Sequence, residues 1–509
     1  MATEAAGSGR AASAVRPRPT SVSGPIGVSP LLLVIFRVAF GLLMFSGAAR
    51  FVAKGWVESQ YVDPNFHFHY LFFEWVRPLP GDWLYAVFGV QMACALLVAA
   101  GRLYRPAAVG FFLSFTYVEL LDKATYLNHY HFVSLVSFLL IFLPLDRWGR
   151  LGKETGGGAA PTWILRALRL QISIVYVFAG MAKLNGDWLF AALPLRIWLS
   201  SRTGLPLLGP LFDELWVAYA MSWGGAAFDL SVPVLLSIRR VRPWAYIAVV
   251  GFHVATAVLF PIGMFPWIMI ASTIVFFDAD DLRRVGRFVR SLALGRAWER
   301  RALRTPDPLA GSPLAAPRPG DMRLAPRGLQ TALVGFFAVQ LLVPLRHLAY
   351  EGPVLWTEEG YRFSWRVMLV EKSGSVVYRV RDPTSDRSWE VYPAGLLTTQ
   401  QEKQMAFQPD MILELAHHIR DEVEAETGVR PEVRADAFVS LNGRPSARLI
   451  DPDVDLARIA PGLAPKSWVL RPRERRGRCT LTAIEDERGS VSGPGRIRTC
   501  DPSIMSRVL

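Results

Sequence analysis

Nine apolar runs, each close to the length of a bilayer-crossing helix, constrain this chain more than any other feature. They fall at about 31–50, 83–101, 106–122, 127–145, 168–184, 215–238, 244–260, 263–278 and 329–346. A helix needs about 17 to 25 mainly apolar residues to cross the hydrocarbon. Inside it, every backbone N–H and C=O must be satisfied within the segment. With 51% hydrophobic and only 19% charged residues over 509 positions, the chain is not a single soluble domain, nor is most of it disordered. Its three cysteines (Cys94, Cys479, Cys500) form no CxxC pair, so neither a disulfide scaffold nor a cysteine metal site is indicated. The first run is too long for the apolar stretch of a signal peptide and reads as an uncleaved first helix.

Orientation follows from Lys and Arg in the short loops. With the N-terminus inside, the inner loops hold Arg10, Arg16 and Arg18, then Arg102 and Arg105, then Arg147, Arg150, Lys153 and Arg166, then Arg239, Arg240 and Arg242, and a dense set from Arg283 to Arg327. The outer loops hold only Lys54, Arg77, Lys123, Arg196 and Arg202. The net charge of +13 is thus a topology signal, satisfied by anionic lipid, and no nucleic-acid partner is implied.

Past the last run the pattern changes. Tyr361–Val370, Ser375–Arg381 and Ser388–Tyr392 read as strands, Asp382-Pro383 and Asn442-Gly443 as turns, and Met411–Glu426 as one amphipathic helix. The expected fold is a polytopic α-helical membrane protein of about nine transmembrane helices with a C-terminal, mainly β extracytoplasmic domain. Its expected parts are a disordered cytoplasmic start (1–29), a membrane domain (30–347), an outer domain with one helix (348–465) and a disordered tail (466–509). Residues 305–320, rich in Pro, Ala and Gly, read as a cytoplasmic linker.

Ionisable groups are costly within a bilayer and usually face a cavity or a partner. Glu119, Asp122 and Lys123 end the third run, His129 and His131 open the fourth, and Lys183, Asp187 and Trp188 follow the fifth. The Phe260–Phe265 hairpin lies on the same side, so four stretches bring polar groups to one outer depth, as an outward-opening cavity requires. A desolvated lysine loses affinity for its proton and can act as a base; Lys123 is the best placed. Asp122 beside it is expected to point elsewhere. Lys183 and Asp187 are expected to pair, and Asp229 to balance Arg37. His129 and His131 lack the i, i+4 spacing of a zinc helix, and no metal site is assigned.

These residues resemble a known family. Glu119-Leu-Leu-Asp122-Lys123-Ala-Thr-Tyr-Leu-Asn128-His129 is similar to the "LLDK…NH" stretch of the vitamin K-dependent gamma-glutamyl carboxylases. Gln171 to Trp188, His253 with Leu259 to Phe265, and Pro344 to His347 with Gly360 to Trp365 resemble three further blocks in the same order. Bacterial relatives of the membrane part belong to the HTTM group. The resemblance implies that Lys123 deprotonates vitamin K hydroquinone (phylloquinol or menaquinol). With O2 as co-substrate, a strong base then forms that removes a γ-proton from a substrate glutamate; CO2 adds to the carbanion and the quinone leaves as its epoxide. It also implies a second catalytic position at His67 or His69, between which the residues do not choose. Asn128, His129, His253, Met264, Phe265, Tyr361 and Trp365 are the implied cofactor-binding positions.

The implied partners are membrane lipid, a glutamate-containing polypeptide at the outer face and a quinone reductase, and the implied location is a bacterial cytoplasmic membrane. The chain departs from the animal members in two ways. Cys94 lies within the second run with no evident disulfide partner, and the stretch after Trp365, Arg366 to Lys372, lacks histidine. Two alternatives stay open: a quinol-oxidising, epoxidising enzyme without glutamate carboxylation, and a transporter or lipid-binding protein.

Overall fold

The structure, a computed structural model, describes residues 27–28, 30–149, 160–278 and 325–472, together with Asp281 and Arg284. The linker expected at 305–320 and most of the two expected disordered ends lie outside the described residues.

Each of the nine apolar runs contains a helix. These are α1 (Pro30–Ala53), α2 (Asp82–Ala100), α3 (Tyr104–Leu121), α4 (Asn128–Phe142), α5 (Thr162–Ala182), α8 (Leu215–Ser237), α9 (Arg242–Leu259), α10 (Phe265–Thr273) and α11 (Arg327–Leu345). Two short helices, α6 (Gly186–Ala191) and α7 (Leu195–Ser200), lie between α5 and α8. By length and composition, five of the described helices can cross a membrane: α1, α2, α5, α9 and α11 with its following turn. The other four fall short for local reasons. The 15 residues of α4 rise only ~22 Å, less than the ~30 Å hydrocarbon core, because the chain leaves the helix just before Pro144. Helix α10 is shorter still. Arg105 and Glu119 dilute α3, and Asp229 with a Gly-Gly pair dilutes α8.

In the membrane part α1 packs against α2 and α10, and α5 against α8. Arg37 of α1 is buried and donates to the carbonyl oxygens of Leu145 (2.6 Å), Trp148 (2.9 Å) and Gly149 (2.6 Å). Carbonyls just past a helix C-terminus lack intrahelical donors and attract a cation, which is why Arg37 does not balance Asp229. Gly101 ends α2 with φ +68°, and a Cβ there would sit 2.7 Å from the Arg37 guanidinium. The outer end of the helix α5 corrects a second expectation. Lys183 pairs with Asp229 at 2.7 Å, not with Asp187. The chain breaks between α5 and α6, so the four-residue spacing of Lys183 and Asp187 is not helical. Strands β1 (Gly27–Val28) and β2 (Ala160–Pro161) pair beneath this bundle.

The outer domain follows α11 through the short α12 (Val354–Thr357). Strands β3 (Lys372–Arg381), β4 (Ser388–Val391), β5 (Glu432–Leu441) and β6 (Ala447–Arg448) form one antiparallel sheet in the order β4-β3-β5-β6. Helices α13 (Thr399–Met405) and α14 (Pro409–Thr427) cover it. The domain is therefore α+β rather than mainly β, and it has two covering helices rather than one. Val433, Ala435, Ala437 and Val439 alternate inward along β5 and meet Met411, Ile412, Leu415, Ala416 and Ile419 of α14. Burying each large apolar side chain there contributes about 1.5–3 kcal/mol.

Tyr361–Val370, expected as a strand, is a folded loop. Phe363, Trp365 and Met368 have φ of 59°, 56° and 50°, which no ladder accommodates. The loop turns at Gly360 (φ +78°), where a Cβ would lie 2.8 Å from the His347 backbone. Its aromatic side chains pack into the membrane part instead of pairing with a neighbouring strand.

Candidate functional site

Between α3 and α4 the chain makes a tight turn, Asp122–Thr125. The Asp122 carboxylate accepts from Ala124 N (2.8 Å) and from Gln401 Nε2 of α13 (2.7 Å), while Thr125 Oγ1 donates to the Asp122 carbonyl (2.7 Å). Asp122 therefore points away from the neighbouring amine. Lys123 N donates to Phe68 O at 2.8 Å, which ties the turn to the loop between α1 and α2.

The Lys123 side chain, 7% exposed, reaches across the domain boundary to α14. Its Nζ lies 2.6 Å from Glu414 Oε2 and 3.3 Å from Asp410 Oδ2. The sequence reading pictured an amine in an apolar cavity; the structure gives it two carboxylates. Glu414 Oε1 also accepts from His69 N (2.7 Å) and faces His69 Nδ1 at 3.0 Å. Asp410 receives Arg362 Nη1 at 2.6 Å. Burial alone would raise both carboxyls. For Glu414, Lys123 and His69 outweigh it and hold the group below its ordinary range; for Asp410, Arg362 and Lys123 do so. Asp410 and Glu414 are four apart on one helical face, while Leu413 and Ala416 are among the residues buried beneath. Helix α14 thus covers the sheet with one face and meets the membrane part with the other.

Of the two histidine candidates, His69 joins this cluster. His67 is 9% exposed, and its Nε2 is enclosed without a partner. Burial, helped by His69, pushes it down to about 4. Asn128 Nδ2 donates to Arg366 O (3.3 Å), and Tyr126 OH donates to Asn128 Oδ1 (3.2 Å). In the same first turn of α4, the rings of His129 and Phe265 lie 6.0 Å apart, whereas His131 meets Phe363 (4.9 Å) and Trp365 (5.1 Å). Trp365 is 1% exposed, with an unpartnered Nε1, and Tyr361 is half-buried in the same loop. His253 Nε2 is 2.8 Å from Tyr176 OH.

Two cavities lie in the membrane part. The first is lined by apolar side chains with His253, Tyr176, Phe265 and the Lys183–Asp229 pair in its wall. The second lies among α1, α2, α3, α4 and α10 and includes Met264, Tyr61, Glu119 and Tyr130. Lys123 is in the wall of neither. The nominated residues therefore do not share one site: Lys123 and His69 lie in the acid cluster, His253 and Phe265 line the first cavity, Met264 lines the second, Tyr361 and Trp365 sit in the loop that Asn128 meets, and His67 and His129 lie in none of these.

Sequence reasoning missed Asp410, Glu414 and Arg362. A signal was present in the two acids spaced four apart on the amphipathic α14, but nothing local says which partner that face meets. A second tie crosses the boundary: Asp187 accepts from Arg444 Nη1 (2.8 Å) and Asn442 Nδ2 (2.7 Å). Among the described residues no His, Cys, Asp or Glu group converges as a metal site, and Cys94 is a free thiol.

No solved structure matches the chain. A family model of the HTTM domain matches residues 27–280, and one of the lumenal domain of vitamin K-dependent gamma-carboxylase matches residues 326–475. The second match begins at α11 and takes in the sheet, α13 and α14. Together the two take in about four fifths of the sequence and meet across the boundary that Lys123, Asp410 and Glu414 bridge. The chain belongs to the vitamin K-dependent gamma-carboxylase family.

Proposed function

We propose that this protein carboxylates glutamate side chains of a polypeptide at the γ-carbon, using vitamin K hydroquinone, at the outer face of a bacterial cytoplasmic membrane. The observation that carries the proposal is the buried Lys123 amine at the seam of the two matched domains, held by acids from the outer one. When bound, the hydroquinone supplies with O2 the oxidative drive for removing a carbon-bound proton, and it leaves as the epoxide. Two carboxylates this close favour the ammonium, so Lys123 Nζ takes a hydroxyl proton only after passing its own to Glu414, 2.6 Å away. Glu414 and Asp410 neutralise the ammonium, and His69 and Arg362 fix those acids in place. Asn128 ties the start of α4 to the backbone of the loop that carries Trp365.

The membrane part fits a lipid-soluble cofactor in two respects. Its cavities have mainly apolar walls, which suit an isoprenoid ring and tail. His253 Nδ1 and Gln91 Oε1 are buried without partners beside them, and such atoms are left for a ligand or water. The proposed partners are membrane lipid, the glutamyl polypeptide and a reductase that returns the quinone to its reduced form.

Purified protein incubated with vitamin K hydroquinone, O2, labelled bicarbonate and a glutamyl peptide tests the reading. Label in the peptide, with stoichiometric epoxide, is expected. Epoxide without label selects the second reading, quinol epoxidation alone, which the histidine-free Arg366–Lys372 stretch favours. Absence of both sinks the two together.

A further inference from the structure

The second cavity holds polar groups that the fold leaves unused. Arg50 of α1, Gln91 of α2 and Glu119 of α3 all face it. Gln91 is 4% exposed, and its Oε1 and the Arg50 Nε are enclosed with no hydrogen-bond partner. Among the described residues, no hydrogen bond or ion pair engages the side chains of Arg50, Gln91 or Glu119; Arg50 only lies over the Trp56 ring, 5.4 Å away. A guanidinium and a carboxyl lining one space at low dielectric attract each other strongly. Here they form no ion pair, although both line the same space.

The apolar wall has a direction. Phe51 stacks on Phe88 at 5.3 Å and 15°, and on Tyr61 at 6.0 Å and 19°. Near-parallel rings of this kind complement a flat aromatic ligand better than a water cluster or an ion. Glu119 belongs to the last turn of α3, from which the chain runs directly into the Asp122–Thr125 turn that presents Lys123.

We propose that this chamber holds the ring of an isoprenoid hydroquinone, with Glu119 accepting from one ring hydroxyl and Arg50 and Gln91 binding the oxygen at the opposite side. A para-dihydroxy ring meets the need of both ends at once: a donor for the acid, and an acceptor for the guanidinium and the amide N–H. The proposal rests on the quinol reading above and names the side chains that would serve it. It places the ring in the second cavity, not in the larger apolar one, so a hydroxyl proton bound for Lys123 would pass first to Glu119, four residues earlier in the chain.

The test uses the full chain in detergent with anaerobically reduced menadiol as probe, and reads binding by thermal stabilisation and by quenching of tryptophan fluorescence. Saturable binding is expected, weakened at least tenfold in Glu119→Gln and in Gln91→Leu, two nearly isosteric changes. Ala179→Phe, which fills the larger cavity, is expected to leave the affinity within twofold. Unchanged affinity in both chamber variants, loss of binding only in Ala179→Phe, or no saturable binding by wild-type protein would each overturn the assignment. The labelled-bicarbonate assay separates the two levels. Residue-dependent menadiol binding without epoxide or label leaves the chamber standing and removes the carboxylase reading. Label incorporated with equal menadiol affinity in all variants does the reverse.

Discussion

The Nζ of Lys123 and the Oε2 of Glu414 are 2.6 Å apart, although one belongs to a turn between membrane helices and the other to a helix of the outer domain. Replacing Lys123 by alanine is therefore expected to have two separable effects. Turnover should fall about 10²- to 10⁴-fold, the range lost with a general base. Stability should fall as well, because Glu414 loses the cation beside it while Arg362 still neutralises Asp410. Activity alongside circular dichroism checks this; a folded Lys123→Ala protein that turns over at the wild-type rate removes Lys123 from the chemistry.

The same cluster sets an acid limit on stability. Asp410 and Glu414 are held below their ordinary range in the fold, so they bind fewer protons there than in the unfolded chain. Their stabilisation is complete above the unfolded carboxylate value of about 4 and is lost as pH falls through the lower folded values. Melting temperature against pH should therefore drop on the acid side, and Asp410→Asn with Glu414→Gln should flatten that limb.

His67 acts in a higher window. Burial lowers it to about 4, against about 6.5 when unfolded. Between these values the unfolded chain binds more protons, so stability rises with pH through that interval and is flat above it. His67→Gln should lessen this slope by one histidine's share, since burial also lowers His417, and leave the carboxylate limb. A wild-type melting curve with no change between pH 4 and 6.5 would contradict the assignment.

Lys183 and Asp229 are both almost wholly buried and pair at 2.7 Å. Removing one partner of such a pair typically costs about 3–5 kcal/mol, whereas an apolar replacement of both is often neutral. Lys183→Met should accordingly destabilise the membrane part strongly, and Lys183→Met with Asp229→Leu should recover most of the loss. Unfolding in detergent measures both.

Asp187 and Arg444 tie the two domains at a more exposed place. Because Arg444 is half-exposed, the tie contributes about 1 kcal/mol at most. Asp187→Ala should leave each domain folded and raise hydrogen exchange at β5 and α6. Exchanging the two residues should restore protection.

Much of the membrane part could be read from the sequence because a bilayer admits so few solutions: each apolar run became a helix. Strands β3 and β4 and helix α14 followed from local alternation and helical spacing. The strand β5 is also alternating, but its inward positions are small (Ala435, Ala437), which weakens the apolar signal. The loop from Tyr361 to Val370 was misread because aromatic and β-branched residues mark burial as well as strands. Lys123 came from its motif. Its acids could not, since contacts such as His69 to Glu414 span 345 positions and depend on how two domains dock. The pairings of Lys183 and Arg37 failed for a related reason: local spacing did not reveal the break after α5 or the free carbonyls beyond α4.

Helix α14 belongs by packing to one half of the molecule and by charge to the other. If the polypeptide were severed just after α11, the membrane fragment would carry an amine stripped of its counter-charges and the outer fragment a Glu414 without its cation. Neither piece could be competent alone, and mixing them would recover reactivity only to the extent that the fragments reassociate.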